Sequence, residues 1–393
     1  MPRQSAQETR KLVAFVATVL VGVVAAWFAN RTVRDRESAD SPVGFEQLFA
    51  ALTRLNHDPA HLSMTMGPST VDERRLRHAN ARIRGAVDVL VLGQSDADHM
   101  SQTFFRDDVR FYNGFISNSF FTYQCEVFDD LVAAHGVPRL VLYDVRSSFL
   151  LNTGAEPFND TPPADTAWWA GPLFRTGKAP HGPIYADLDS LLSLQQSELT
   201  LKWVGRQFET KHPPMEIDVD TGAPYLTVDK NLASTGHRWL ADGSRVYPRE
   251  VNGVLVPRGQ AHIEEATGDR KLNVARLKPL EASLRGLVDQ GATVIVYSPP
   301  LQPRVFEDGT QAPLLREAGA RLREITTRVG VDYCDLSMDA EATGCVAADH
   351  YDELHISRHC NKMVIRKLAT GCAPRAEKVL RGVIAPSILT DPL

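Results

Sequence analysis

The chain has 393 residues, of which 43% are hydrophobic and 23% are charged, and its formal net charge is −5. This composition is typical of a globular protein long enough for two or three domains. The negative net charge argues against nucleic acid as the main partner, and the sequence has no internal repeat or long low-complexity run. No Cys-x-x-Cys or His-rich ligand spacing occurs, so neither a metal ion nor another cofactor is expected.

An uncharged run of 18 residues, 12–29, predicts a transmembrane helix near the N-terminus. At ~1.5 Å per residue it would span about 27 Å. Basic residues are balanced on its two sides, so the orientation is inferred from the long remainder, which contains no second apolar span. We expect an uncleaved signal anchor in the cytoplasmic membrane, with residues 1–11 as a cytoplasmic tail and the body on the periplasmic or extracellular side. A cleaved signal peptide is the competing interpretation.

A polar linker and two leading helices are predicted over residues 30–84, followed by a regular alternation of strands and helices. Strands are predicted at 87–92, 109–113, 139–145, 292–298 and 331–336. Helices are predicted at 44–56, 70–84, 97–105, 119–135, 272–290 and 312–329, and a last one from the N-cap Ser357 to about Gly371. The pattern predicts an α/β domain over 85–146 and 271–376, built on a five-stranded, doubly wound parallel sheet, with 377–393 as a C-terminal tail.

Residues 147–270 interrupt this alternation with many Pro, Gly and Trp residues, and we interpret them as an insertion that forms a lid or wall over the site. Residues 237–247 within it predict a hairpin about an Asp-Gly turn. Four aromatic residues of the insertion either stack on a sugar or belong to a local core: Trp168, Trp169, Trp239 and Tyr247.

Four of the five cysteines lie in the last 60 residues, which fits an exported body with at least one disulfide. The spacing does not fix the pairing, although Cys334 with Cys345 is the favoured bridge because a strand end and the following loop approach closely. Cys360 and Cys372 lie about 18 Å apart along one predicted helix, too far to pair with each other.

Two short motifs stand at the carboxyl ends of predicted strands. Ser95 follows the first strand in Gly-x-Ser, and Asp352 and His355 stand three residues apart before the last helix. A serine hydroxyl needs an imidazole to take its proton and a carboxylate to orient that imidazole. Open α/β sheets place their sites at this edge, so we predict a catalytic triad. The alternative is that Ser95 caps a helix and His355 only packs.

Nearby polar residues also have structural interpretations. Asp96 and Asp98 fit the capping of a helix N-terminus, where the helix dipole favours a carboxylate. His99 is either a second site histidine or, as we expect, an exposed residue of the first helical turn.

The chain resembles the SGNH/GDSL hydrolase superfamily, and more narrowly its membrane-anchored branch in cell-envelope polysaccharide and teichoic-acid modification. That branch includes alginate O-acetyltransferase accessory proteins and the lipoteichoic-acid D-alanylation hydrolase-like protein. Three blocks carry the resemblance: Gly93-Gln94-Ser95-Asp96, Tyr297-Ser298-Pro299-Pro300 and Asp352-Glu353-Leu354-His355. It implies a flavodoxin-like, three-layer α/β/α fold.

The resemblance also implies an oxyanion hole, in which the Ser95 backbone N–H is joined by Gly114 or by Asn118. Typical hydrolases of the family carry an asparagine after the third strand, and this chain has none there. Losing one oxyanion donor costs about 2.7–4 kcal/mol, so another group, for which Arg146 is the candidate, would have to compensate.

The implied activity is a Ser-His-Asp acyltransferase or esterase that forms an acyl-enzyme on Ser95 and acts on acyl groups, chiefly acetyl, of an envelope or exported polysaccharide. Its implied partners are an acylated glycan and a membrane acyl-donor protein. The alternative is a non-catalytic scaffold or binding protein of a polysaccharide modification or export complex, built on a decayed fold of this kind.

Overall fold

The structure is a computed structural model, and its contacts divide the chain into two units, residues 1–48 with 161–212 and residues 49–160 with 213–393. The first unit is described at Thr18, at 21–26, which are helical and exposed, and at 45–48. Among the described residues no helix is both long and apolar enough to cross a membrane, and most of the predicted anchor at 12–29 lies outside them. The second unit is described at 49–58, 63–65, 70–117, 119, 121–152, 215–217, 224–227, 238–246, 250–251, 254–255, 271–306, 309, 311–351 and 355–390.

A five-stranded, all-parallel sheet forms the centre of the second unit, which confirms the predicted sheet. Its strands are β1 (Val89–Leu92), β2 (Phe111–Asn113), β3 (Leu140–Asp144), β4 (Thr293–Ser298) and β5 (Asp332–Asp335). The spatial order is β2-β1-β3-β4-β5, so the direction of winding reverses between β1 and β3. In open α/β sheets, ligands bind at the carboxyl ends of the strands on either side of such a reversal.

Nine helices are described, and six of them correspond to predicted helices. They are α1 (Phe45–His57), α2 (Thr70–Ile83), α3 (Phe121–His135), α4 (Leu277–Asp289), α5 (Gln311–Val329), α6 (Ala340–Thr343), α7 (Arg358–Lys367), α8 (Glu377–Val383) and α9 (Pro386–Thr390). Apolar side chains of α3, α4 and α5 pack with alternate residues of β1, β3 and β4 in one buried core. The near-continuous apolar sequence of the strands is what burial on both faces requires.

Two stretches differ from the prediction. The helix expected over 97–105 is instead a pair of 3-10 turns, Ser95–Ala97 and Gln102–Phe104, because the side chain of Asn113 binds carbonyl groups that an α-helix would use internally. The expected C-terminal tail contains α8 and α9, whose apolar residues Leu380 and Ile388 are buried. The backbone N–H of Ala385 donates to Phe104 at 3.0 Å, which docks this end of the chain beside the second 3-10 turn.

The insertion contributes to a second five-stranded sheet. Its spatial order is Met215–Ile217, Pro224–Thr227, Ser63–Thr65, Arg238–Trp239 and Arg245–Val246, with one parallel pairing and three antiparallel ones. The strand at 63–65 comes from the segment predicted as linker and leading helices, so the second sheet joins that segment to the insertion. The predicted hairpin at 237–247 is confirmed over its described residues, 238–246, with Trp239 opposite Arg245 and Gly243 in the left-handed region at φ +84°.

Two disulfides connect the C-terminal third of the chain, Cys334 with Cys372 and Cys345 with Cys360. The favoured pair of Cys334 with Cys345 is therefore wrong, while the expectation that Cys360 and Cys372 do not pair is confirmed. The partners are set by how α7 packs, because its first turn brings the Cα of Cys360 within 5.0 Å of that of Cys345. Burial raises the pKa of the thiol of Cys125, the fifth cysteine, to about 12.

Two glycine substitutions test the packing described above, one at the carboxyl end of β1 and one in α4. Gly93 has φ +147°, and a Cβ there would lie 2.5 Å from the Cβ of Asp144. Gly93→Ala should lower the free energy of unfolding by roughly 2–4 kcal/mol, because it adds backbone strain to an overpacked contact. Gly286 lies within α4 with open space around it, so Gly286→Ala should raise that free energy by about 0.5–1 kcal/mol. Urea denaturation of both variants measures this, and equal effects would contradict the described packing.

Candidate active site

The structure brings Ser95 and His355 into direct contact at the carboxyl edge of the central sheet. His355 Nε2 lies 2.7 Å from Ser95 Oγ, although the two residues are 260 positions apart in the sequence. Ser95 follows β1 and His355 precedes α7, and both side chains are half-buried. A partly exposed hydroxyl that is hydrogen-bonded to an imidazole is the arrangement that nucleophilic catalysis by serine requires.

The residues 95–100, which we call the nucleophile turn, hold Ser95 in place. The turn begins where Ala97 N donates to the carbonyl of Gln94 at 3.1 Å, and the buried amide of Asn113 donates to Ala97 O at 2.6 Å and to Met100 O at 2.9 Å. Among the described residues none accepts a hydrogen bond from the Ser95 backbone N–H. That N–H is therefore available to an oxyanion.

The residues 349–357, which we call the histidine loop, hold His355. Its two ends are joined because Ser357 N donates to Asp349 O at 2.7 Å and Tyr351 N donates to His355 O at 2.9 Å. The buried carboxylate of Asp349 also accepts from the Ser357 hydroxyl at 2.6 Å and from Val346 N at 2.8 Å. Asp349 was not a candidate in the sequence, since nothing in its local pattern marks it.

Asp352, the predicted third member of the triad, lies outside the described residues, as does Asn118. The Cys345–Cys360 bridge encloses the histidine loop, with a sequence separation of 15 residues between its cysteines. A covalent link across such a short segment restricts the conformations of the loop and limits how far His355 can move from Ser95.

Two of the residues predicted to bind the oxyanion, Gly114 and Arg146, already make other hydrogen bonds in the structure. The Gly114 N–H donates to Val91 O at 2.8 Å, so this N–H is already used between β2 and β1 and is not available to an oxyanion. Arg146 follows β3 and forms a two-pronged ion pair with Asp96, the residue after the nucleophile, through Nε and Nη2. The Asp96 carboxylate is thus committed to this pair rather than to capping a helix.

Asp144 is a buried carboxyl at the end of β3 that sequence analysis did not single out. It is 1% exposed, and among the described residues neither of its oxygens has a hydrogen-bond partner. Burial raises its pKa well above the ordinary value, and the neighbouring Asp96 raises it further. These conditions favour the protonated, neutral acid. Tyr297 stands opposite Asp144 in the sheet and is itself buried, as expected for a core residue.

Other candidates have structural roles. Trp239 is 3% exposed and stacks on Phe115 with ring centroids 5.6 Å apart, which supports a local core rather than a sugar platform. His99 is fully buried, so the expectation of an exposed histidine is wrong; the nucleophile turn folds it inward. Trp168, Trp169 and Tyr247 lie outside the described residues. No group of three potential metal ligands clusters within the described part of the chain.

Comparison with protein-family models, with curated proteins and with solved structures finds no match to this chain. The family resemblance therefore rests on the sequence blocks around Ser95, Tyr297 and His355.

The state of Asp144 has a measurable consequence for stability. Its pKa is higher in the folded protein than the ~3.9 of an unfolded chain, so the folded state keeps a proton that the unfolded state releases. The free energy of unfolding should then fall as pH rises above about 4, by at most about 1.4 kcal/mol per pH unit. Asp144→Asn should remove this slope and be more stable than the parent at neutral pH, in urea denaturation over a pH series.

Asp88 provides the control with the opposite sign. Its side chain is hydrogen-bonded to Arg110, which lowers its pKa, so its stabilisation is present at neutral pH and is lost as pH falls through the lowered value. Asp88→Asn should therefore destabilise the protein at neutral pH. An unchanged pH slope in Asp144→Asn would show that Asp144 is ionised in the folded state.

Proposed function

We propose that the chain is a serine acyltransferase or esterase of the SGNH type that forms an acyl-enzyme on Ser95. The observation that carries the proposal is the 2.7 Å contact between His355 Nε2 and Ser95 Oγ. A serine hydroxyl within hydrogen-bond distance of an imidazole, at the carboxyl edge of a parallel sheet, has the geometry that acyl transfer requires.

The chemistry follows from that contact. Neutral His355 accepts the hydroxyl proton at Nε2 while Ser95 Oγ bonds to the acyl carbonyl carbon, and the carbonyl becomes an oxyanion. The imidazolium then gives the proton to the departing alcohol as the carbonyl re-forms, which leaves the acyl group on Ser95. A sugar hydroxyl or water then attacks the acyl-enzyme in the reverse sequence, and Ser95 recovers its proton.

In this proposal Asp352 orients His355 by accepting a hydrogen bond from Nδ1–H, which leaves Nε2 free to act as the base. The oxyanion is bound by the Ser95 N–H, whose availability supports this role. Gly114 is excluded as the partner donor because its N–H is occupied. Asn118 and Arg146 remain as candidates for the second donor.

The substrate and location rest on the family resemblance. We propose an acylated envelope or exported polysaccharide as substrate, a membrane protein as acyl donor, and a single N-terminal anchor at 12–29 that leaves the body outside the cytoplasmic membrane. Two disulfides favour an oxidising compartment, since such bonds are rare in the cytosol of most organisms.

A non-catalytic scaffold is the second candidate. It is favoured by the lack of an asparagine after β3, where Arg146 is instead engaged by Asp96. The contact between Ser95 and His355 argues against it, because a scaffold does not require a nucleophile hydrogen-bonded to a base.

A serine-reactive phosphonate probe separates the two candidates. The parent protein should be labelled at Ser95, and Ser95→Ala or His355→Ala should each reduce labelling by at least about a thousandfold. The double variant should lose little more than either single one, because the two side chains act as a unit. Labelling should also rise with pH as the imidazole loses its proton.

Matched controls are Ser283→Ala on α4 and His135→Ala at the end of α3, which should label like the parent. Ser95→Ala should leave the melting temperature nearly unchanged. A parent protein that resists the probe at every pH would leave the scaffold as the better account.

A further inference from the structure

The hairpin of the insertion, residues 238–246, packs directly on the end of β2. Asn113 N donates to the carbonyl of Asp242 at 2.7 Å, so the tip of the hairpin pairs with the edge strand of the central sheet. The approach is very close at Gly243, where a Cβ would lie 2.2 Å from Asn113 O. A glycine at φ +84° is therefore required both by the turn and by this contact.

Asn113 contacts both the hairpin and the nucleophile turn. Its backbone binds the hairpin, while its side-chain amide donates to the carbonyl groups of Ala97 and Met100. Its side-chain oxygen accepts from Phe115 N at 3.2 Å, so both ends of the amide are used. The side chain is fully buried, where each of these hydrogen bonds is costly to lose.

The hairpin also touches the segment after Ser95 directly. Arg245 N donates to Asp98 O at 2.7 Å, and Asp98 N in turn donates to Ser95 O at 3.3 Å. The carboxylate of Asp242 accepts from Gln102 N at 2.8 Å, at the start of the second 3-10 turn. The carbonyls of three residues in the nucleophile turn are thus held by Asn113 and the hairpin together.

Arg77 from α2 joins the hairpin to Asn113. One guanidinium nitrogen, Nη1, donates to Asn113 O at 2.7 Å and to Gly243 O at 2.9 Å. Its guanidinium carbon lies 4.2 Å from the ring centroid of Phe115 and 4.0 Å from that of Trp239. This charged group is 1% exposed, and the two hydrogen bonds of Nη1, the two ring contacts and the carboxylate of Glu73, 4.0 Å from Nη2, are the interactions that offset part of its lost hydration.

We propose that the insertion hairpin is a positioning element for Ser95 that acts through Asn113, an inference that rests on the proposed function. Serine and imidazole must stay within a few tenths of an ångström of their productive geometry, and a displacement of about 1 Å can cost about a hundredfold in rate. The insertion is then part of the catalytic framework rather than a cover alone, and Asn113, Asp242 and Gly243 are its positioning residues.

The test uses the full chain with Gly243→Ala, which places a methyl group against Asn113 O. Gly136→Ala is the matched control, because Gly136 has φ +92° and nothing within 4 Å of a Cβ. Phosphonate labelling of Ser95 is measured well below the melting temperature, together with hydrogen exchange of the peptide covering residues 94–104. Ester hydrolysis gives kcat and KM separately.

Gly243→Ala should slow labelling at least about tenfold and lower kcat with KM nearly unchanged, because the serine is displaced while the substrate surface is kept. Exchange in 94–104 should become faster. Gly136→Ala should lower the melting temperature through backbone strain and label at the parent rate. If Gly243→Ala does not fold, Asp242→Ala removes the acceptor of Gln102 N and should give the same pattern.

A hairpin variant that melts lower, yet labels at the parent rate and keeps slow exchange in 94–104, would overturn the proposal. If the parent protein itself is not labelled, the proposed function fails. Hydrogen exchange alone then decides whether the hairpin restrains the nucleophile turn. Faster exchange in Gly243→Ala but not in Gly136→Ala supports the coupling, and unchanged exchange refutes it.

Discussion

The hydrogen bond between Ser95 Oγ and His355 Nε2 is the constraint on which the account depends. It joins two short segments that are 260 positions apart in the sequence and that meet at the carboxyl edge of the central sheet. The serine lies beyond β1, next to the point where the winding direction reverses, and the histidine lies after β5 on the way to α7. Ser95 begins a single 3-10 turn and His355 lies in a loop, so both depend on neighbouring groups to fix their backbone.

Each partner is restrained by a different set of contacts. For the serine, the amide of Asn113 and the insertion hairpin bind successive carbonyl groups of the nucleophile turn. For the histidine, the carboxylate of Asp349 accepts a hydrogen bond from Ser357 at the other end of the histidine loop. The Cys345–Cys360 bridge links the segments on either side of that loop. The amide of Asn113 and the carboxylate of Asp349 are buried, and both polar ends of each group are hydrogen-bonded. Buried polar networks that are satisfied in this way fix a geometry more uniquely than apolar packing alone does.

The strands and most helices were predictable because they depend on local periodicity, and the meeting of Ser95 with His355 followed from a general property of parallel sheets. What failed depends on distant residues. The helix expected over 97–105 is replaced by 3-10 turns because Asn113 competes for its carbonyls. The disulfide partners depend on how α7 docks, and the loss of Gly114 as a donor depends on strand register. Buried Asp144 has no sequence signature, because its raised pKa comes from its surroundings.

The central claim is that Ser95 forms a covalent acyl intermediate with the help of His355. Its most direct test is to mix the protein with an activated acetyl ester, quench rapidly with acid, and map the acetylated peptides by mass spectrometry. Acetylation of Ser95 should build up in the parent protein within the first turnover. No acetylation of that residue is expected in His355→Ala under the same conditions. Acetylation confined to surface lysines, or equal acetylation of Ser95 with and without His355, would contradict a His355-assisted acyl-enzyme on Ser95.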